Sequence, residues 1–206
     1  MRIRVSYILP VVALFLLSCA GVNLDDARGQ YLRGEYYTAS QTYRKLYRNT
    51  PREKRALRGI IAFEMAENYR KLNQPIQAIT AYNNAIRYEY PDTIIYLHYA
   101  RMLHRDGKYA EATKEYRRFL EFKPNDPVAL NGLRGAELAM EWIKDPTRHQ
   151  VQRIELFNSS RGEFSPMLSP TEDRFYFTSS REDAQGEKKS PITGMKYNDL
   201  FYSVKN

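Results

Sequence analysis

The chain has 206 residues, 43% of them hydrophobic and 27% charged, with a formal net charge of +8. That is enough apolar material to bury the core of one or two domains. The only cysteine, Cys19, excludes an internal disulfide and any cysteine-based zinc centre.

Arg2 and Arg4 open the chain, and Ile8 to Leu17 follows as an apolar run broken only by Pro10. The run is too short for a comfortable membrane span and fits the apolar region of a signal peptide. Leu16-Leu17-Ser18-Cys19 then resembles the bacterial lipobox, with an aliphatic residue three places before the cysteine and a small one just before it. The resemblance implies a signal peptide over 1–18, acylation of Cys19 and a tether over 19–26. An ordinary signal peptide with a chance cysteine, or an uncleaved anchor, is the alternative. Ala20 follows the cysteine where an aspartate would signal retention at the inner membrane, which implies an outer-membrane lipoprotein facing the periplasm.

From Arg28 to Arg58 nine Lys and Arg residues stand against Glu35 and Glu53. Such a run is either a solvated helical face or a patch that attracts acidic headgroups or an acidic partner. Nucleic acid is not an expected partner of an exported protein.

The middle of the chain repeats. Gly34, Tyr36, Ala39, Tyr43, Leu46 and Pro51 align with Asn73, Pro75, Ala78, Tyr82, Ala85 and Pro91, and these with Gly107, Tyr109, Ala112, Tyr116, Phe119 and Pro124. The second and third sets are 34 residues apart; the first and second are 39 apart, which predicts an insertion around Pro51 to Lys54. Gly or Asn suits the left-handed turn between two helices, the alanines allow close helix approach, the tyrosines fill the space one turn on, and the prolines stop the second helix. Ala62, Met65, Ala66 and Tyr69, and then Tyr96, Tyr99, Ala100 and Leu103, recur at helical spacing in the preceding helices. This pattern resembles the tetratricopeptide repeat (TPR). The predicted fold is mainly α, a TPR superhelix over 27–145 of about three repeats and a capping helix near Pro127 to Lys144, whose apolar side is Leu130, Leu133, Leu138 and Trp142.

TPR proteins usually bind partners in the concave groove lined by the first helix of each repeat. The resemblance carries that role to Arg28, Tyr31, Glu67, Arg70, Arg101, His104 and Asn131. The arginines can receive a carboxylate bidentately, and a merely solvated groove is the alternative. The Lys and Asn set with which some members clamp a peptide C-terminus has no match here.

After Pro146 the helical period stops. Val151, Ile154, Leu156 and Phe157 suggest a strand, Phe175 to Thr178 and Asp199 to Val204 read as further strands, and Glu182 to Lys196 reads as a mobile loop. The pattern from Pro166 through Ser169-Pro170 to Phe175, Phe177-Thr178-Ser179 and Arg181 resembles one blade of a TolB-type β-propeller, with Thr171-Glu172-Asp173 in place of the usual Asp-Gly turn. The unit 150–206 is therefore expected to be a partial propeller. A propeller needs several blades, and a small isolated sheet is marginal in water, so the chain is expected to be the N-terminal portion of a longer protein.

The order of lipobox, TPR and TolB-type blade resembles an outer-membrane lipoprotein group of the Bacteroidetes that ends in an OmpA-like domain and serves the type IX secretion system. The resemblance implies a scaffold linking that apparatus to the cell wall, with envelope and secretion proteins as partners, the membrane engaged through Cys19 and peptidoglycan through a domain outside these residues. A free-standing TPR lipoprotein assisting outer-membrane protein assembly or nutrient uptake is the alternative. No catalysis, cofactor or metal is expected. His98 and His104 lie six residues apart, on different helix faces, His149 stands alone, and no zinc-protease, nucleophile-elbow or phosphate-loop motif occurs.

Overall fold

The computed structural model describes residues 23–148 and 150–205. The expected signal peptide over 1–18, Cys19 and His149 lie outside the described residues. Seven helices come first: α1 (Leu24–Leu32), α2 (Tyr36–Asn49), α3 (Arg55–Lys71), α4 (Pro75–Arg87), α5 (Ile94–Arg105), α6 (Tyr109–Phe122) and α7 (Pro127–Lys144). Three strands follow: β1 (Glu163–Leu168), β2 (Arg174–Ser179) and β3 (Asp199–Val204). Each helix packs on the next in sequence, so α1/α2, α3/α4 and α5/α6 form three antiparallel pairs and α7 closes the stack.

The repeat pattern governs this stack. Gly34, Asn73 and Gly107 each take a left-handed backbone, with φ of 79°, 56° and 76°. Ala39, Ala78 and Ala112 are fully buried, as are Tyr43, Tyr82 and Tyr116. The core runs as two joined clusters. One is centred on Tyr43, Ile61, Ala66 and Tyr82, and the other on Leu103, Tyr116 and Phe119; Tyr96 and Tyr99 pack against both.

Four expectations need correction. Helix α1 begins at Leu24, so residues 24–26 are helical and not tether: the Asn23 side chain accepts from the Asp26 N–H while Asp26 accepts from the Asn23 N–H, a capping box that fixes the start. The extra residues between the first two repeats lie within a helix and not in the Pro51 to Lys54 connection. α3 has 17 residues where its counterpart α5 has 12. Residues 151–157 form no strand; 151–154 are irregular and 155–157 form a turn. On α7 the buried residues are Ala129 and Ala136, while Trp142 is 69% exposed and Leu130 is also exposed.

The added turn of α3 has a packing role. Arg58, 8% exposed, donates to the Tyr47 carbonyl at 3.0 Å and to the Thr50 carbonyl, both at the C-terminal end of α2. Its guanidinium also lies 4.1 Å from the Tyr47 ring centroid and 5.1 Å from that of Tyr88. A cation here satisfies carbonyls that the helix end leaves without partners. Arg58→Met should cost about 2 kcal/mol in urea unfolding, from lost charge-assisted hydrogen bonds. Arg58→Lys should recover less than half, because a point charge replaces the planar fork.

The strands form one antiparallel sheet in the order β1-β2-β3. β1 is an edge strand with a register shift between Phe164 and Met167, where Ser165 has φ of 54° and Pro166 follows. A proline is compatible with an edge strand at a bulge. Phe157, Phe175, Phe177 and Phe201 cluster on one face under Arg181. On the opposite face Met167, Leu200, Tyr202 and Val204 are exposed.

The connection between β2 and β3 is ordered by specific contacts. Lys189 and Lys196 form an antiparallel bridge. The carbonyls of Ile192 and Pro191 accept from the Tyr37 and Thr38 N–H groups at 3.0 and 3.3 Å. These are first-turn donors of α2, whose N-cap residue Glu35 makes no side-chain cap. Gly194, φ 73°, lies so close to the Tyr37 ring that a Cβ there would sit 2.3 Å from it.

Candidate functional site

Helices α1, α3 and α5, the first of each pair, line a groove of about 480 Å³. Its walls are Arg28, Tyr31 and Leu32 from α1, Phe63, Glu64 and Glu67 from α3, His98 from α5 and the edge of Tyr43. Helical spacing explains the assembly, since positions three and four apart share one face.

Two charge networks form its floor. In the first, Arg28 grips Glu64, with Nε and Nη2 at 3.0 and 2.6 Å from Oε1, and the Tyr43 hydroxyl donates to Oε2 at 3.0 Å. Burial and the neighbouring Glu64 charge push the Tyr43 phenol far above its usual range, so it stays a donor. In the second, Glu67 receives Arg70 Nε at 3.1 Å, the Tyr82 hydroxyl, and His98 Nδ1 at 2.7 Å. Burial alone would raise the Glu67 carboxyl. The hydrogen bonds from His98, Arg70 and Tyr82 outweigh it and hold the group at about 2. Ionised Glu67 accepts only, so His98 presents Nδ1–H to it.

Four of the residues assigned to the groove from sequence meet here: Arg28, Tyr31 and Glu67 line it, and Arg70 lies behind Glu67. The others lie elsewhere. Arg101 is exposed on α5 near the Tyr116 phenol, and Asn131 is exposed on α7. His104 is half-buried between α5 and α7, edge-on to Tyr109 and Tyr116 and against Gly135; burial lowers its pKa. It acts there in packing, because Gly132 and Gly135 leave room for the rings of Tyr116 and His104.

Sequence reasoning missed Glu64, Phe63 and His98. His98 reaches Glu67 across 31 residues, and the signal available was its shared helix face with the inward positions of α5. The groove holds no serine, threonine or cysteine beside the Glu67–His98 pair. Among the described residues no cluster of three or more His, Cys, Asp or Glu is placed to hold a metal. Among them, too, no helix is long and apolar enough to cross a membrane.

Since every charge on the floor is paired internally, an incoming group meets the exposed rim. Leu32 is 84% exposed, Tyr31 stands beside it, and Phe63 stacks on Tyr90 with centroids 4.1 Å apart. The arrangement places apolar and aromatic side chains at the rim, above an internally neutralised polar floor.

Residues 63–127 match the family model described as tetratricopeptide repeat. No curated protein matches the chain. Among solved structures, the NMR structure of the first TPR domain of the human RPAP3 protein is 24% identical with a TM-score of 0.50, covering 60% of this chain and 93% of that one. The first TPR of Spaghetti (RPAP3) bound to HSP90 peptide SRMEEVD is also 24% identical, with a TM-score of 0.48, covering 57% and 89%. The described residues are mainly helical, with seven helices in TPR-like repeats followed by a short three-stranded sheet.

Proposed function

We propose that this chain is a non-catalytic scaffold that holds a protein partner in the groove of α1, α3 and α5. The observation that carries this reading is the groove itself. Its floor is charge-neutralised from within, and its rim offers Tyr31, Leu32 and Phe63 to an apolar or aromatic anchor of the partner.

The scaffold is held at the outer membrane, facing the periplasm, by an acylated Cys19. Its overall order resembles PorE of the type IX secretion system, and its work is to connect that apparatus to the cell wall. The three strands serve as part of a TolB-type blade. Peptidoglycan is engaged through an OmpA-like domain outside these residues.

Crosslinking in intact cells, followed by recovery from the membrane fraction, tests the proposal. The wild-type chain should carry envelope proteins with it. Leu32→Glu, at a site too exposed to affect folding, should reduce the captured partner at least about tenfold, the effect expected of a lost apolar anchor. Cys19→Ala should move the chain out of the membrane fraction. Undiminished capture by Leu32→Glu removes the groove from the proposal, and membrane retention of Cys19→Ala removes the anchor.

A further inference from the structure

On the other side of α3 lies a second, larger channel of about 690 Å³ between α2 and α4. Met65 and Tyr69 form its floor, about half a turn of helix away from Glu64 and Glu67. One wall carries Gln41, Arg44 and Arg48 of α2, and the other Gln77, Thr80 and Asn84 of α4. No acidic residue lines it. Arg44 bonds Gln41, and neither Arg44 nor Arg48 makes an ion pair among the described residues. The Arg44 charge lies near enough to the Tyr69 phenol to oppose the upward push of burial on it, so it overhangs the channel. Elsewhere in the basic run Arg28, Arg33 and Arg55 pair with Glu64, Glu35 and Glu89 and Arg58 is buried, while Lys45, Arg52 and Lys54 do not line the channel.

We infer that this channel receives an extended peptide segment of a partner protein with acidic side chains at alternate positions. Spacing selects the conformation. Arg44 and Arg48 are one turn apart, a rise of about 6 Å along α2, and alternate residues of an extended strand are separated by about 6.6 Å. Each guanidinium can therefore pair with its own carboxylate through two parallel hydrogen bonds. The carboxamides of Gln41, Gln77 and Asn84 each supply a donor and an acceptor, which suits the N–H and C=O groups of an extended backbone. A lipid headgroup would satisfy the arginines and leave that ladder of carboxamides unused. At the Tyr37 end the channel is bounded by the 190–194 loop, through Gly194 against the Tyr37 ring.

Titration of the full chain with a short labelled peptide alternating glutamate and alanine tests this, with phosphatidylglycerol–phosphatidylcholine vesicles as a parallel probe. Saturable peptide binding is expected, weakened about a hundredfold in the Arg44→Glu, Arg48→Glu double variant if each arginine supplies a charged hydrogen-bonded pair. Lys45→Glu with Arg52→Glu makes the same change of net charge outside the channel and should weaken binding less than about threefold. All four residues are exposed, so helical circular dichroism should be unchanged. Absence of saturable peptide binding, equal losses in the two double variants, or binding confined to the vesicles would each overturn the proposal. The groove-directed Leu32→Glu variant should bind the peptide as wild type does, which separates this channel from the concave groove.

Discussion

Glu67→Leu is expected to destabilise the repeat stack by about 3 kcal/mol, the lower end of the range for removing one partner from a buried ion pair, since Glu67 and Arg70 are partly buried. The substitution leaves Arg70, the Tyr82 hydroxyl and His98 Nδ1 facing an apolar side chain where the hydrogen bonds of all three converged. The acid limb of stability provides the second readout. The folded carboxyl lies at about 2 against an ordinary 4.5, so the unfolded chain binds the proton more readily. The stabilisation is complete above about pH 4.5 and is lost as pH falls toward 2, amounting to about 3 kcal/mol over that window. In Glu67→Gln the loss between pH 6 and pH 3 should shrink by about 2 kcal/mol relative to wild type, measured by urea unfolding. A variant with the wild-type acid slope would mean that Glu67 is not the titrating hub.

Gly132→Ala should lower stability by about 2 kcal/mol or more, against the normal trend in which alanine in a helix is worth about 1 kcal/mol over glycine. A Cβ at Gly132 would lie 2.5 to 2.7 Å from Cζ, Cε1 and the hydroxyl of Tyr116, a ring only 2% exposed and unable to move aside. Gly135→Ala, whose Cβ would meet only the His104 ring edge at 3.3 Å, should be near neutral or stabilising in the same thermal melts. Tyr116→Leu made in the Gly132→Ala background should cost less than in the wild type, because the two substitutions share one contact. Additive losses would show that the ring and the α7 backbone are not in competition.

These two sites show what the sequence carried and what it did not. The turn residues, the small alanines and the buried tyrosines are local requirements of one repeated unit, so their period exposed the repeat stack. The lengthened α3 escaped notice because a five-residue insertion gives the same spacing whether it sits in a loop or a helix. Only the contacts of Arg58 with Tyr47, Thr50 and Tyr88 distinguish the two. β1 was hidden by Pro166, a strand breaker everywhere except at an edge bulge. Val151 to Phe157 looked like a strand, yet Phe157 serves as one ring of a cluster under the sheet. The Glu67 hub is assembled from three helices, and no spacing rule reaches across them.

The contact between the 190–194 loop and α2 has a mechanical consequence. Tyr37 and Thr38 hand their amide hydrogens to carbonyls more than 150 residues away, so the first turn of α2 and the connection between β2 and β3 form one joint. A pull applied to the sheet is delivered to the start of α2 and, through Tyr37, to one end of the arginine channel. Amide hydrogens at these two positions then report on the joint: their exchange rate follows detachment of the loop, not fraying of the helix.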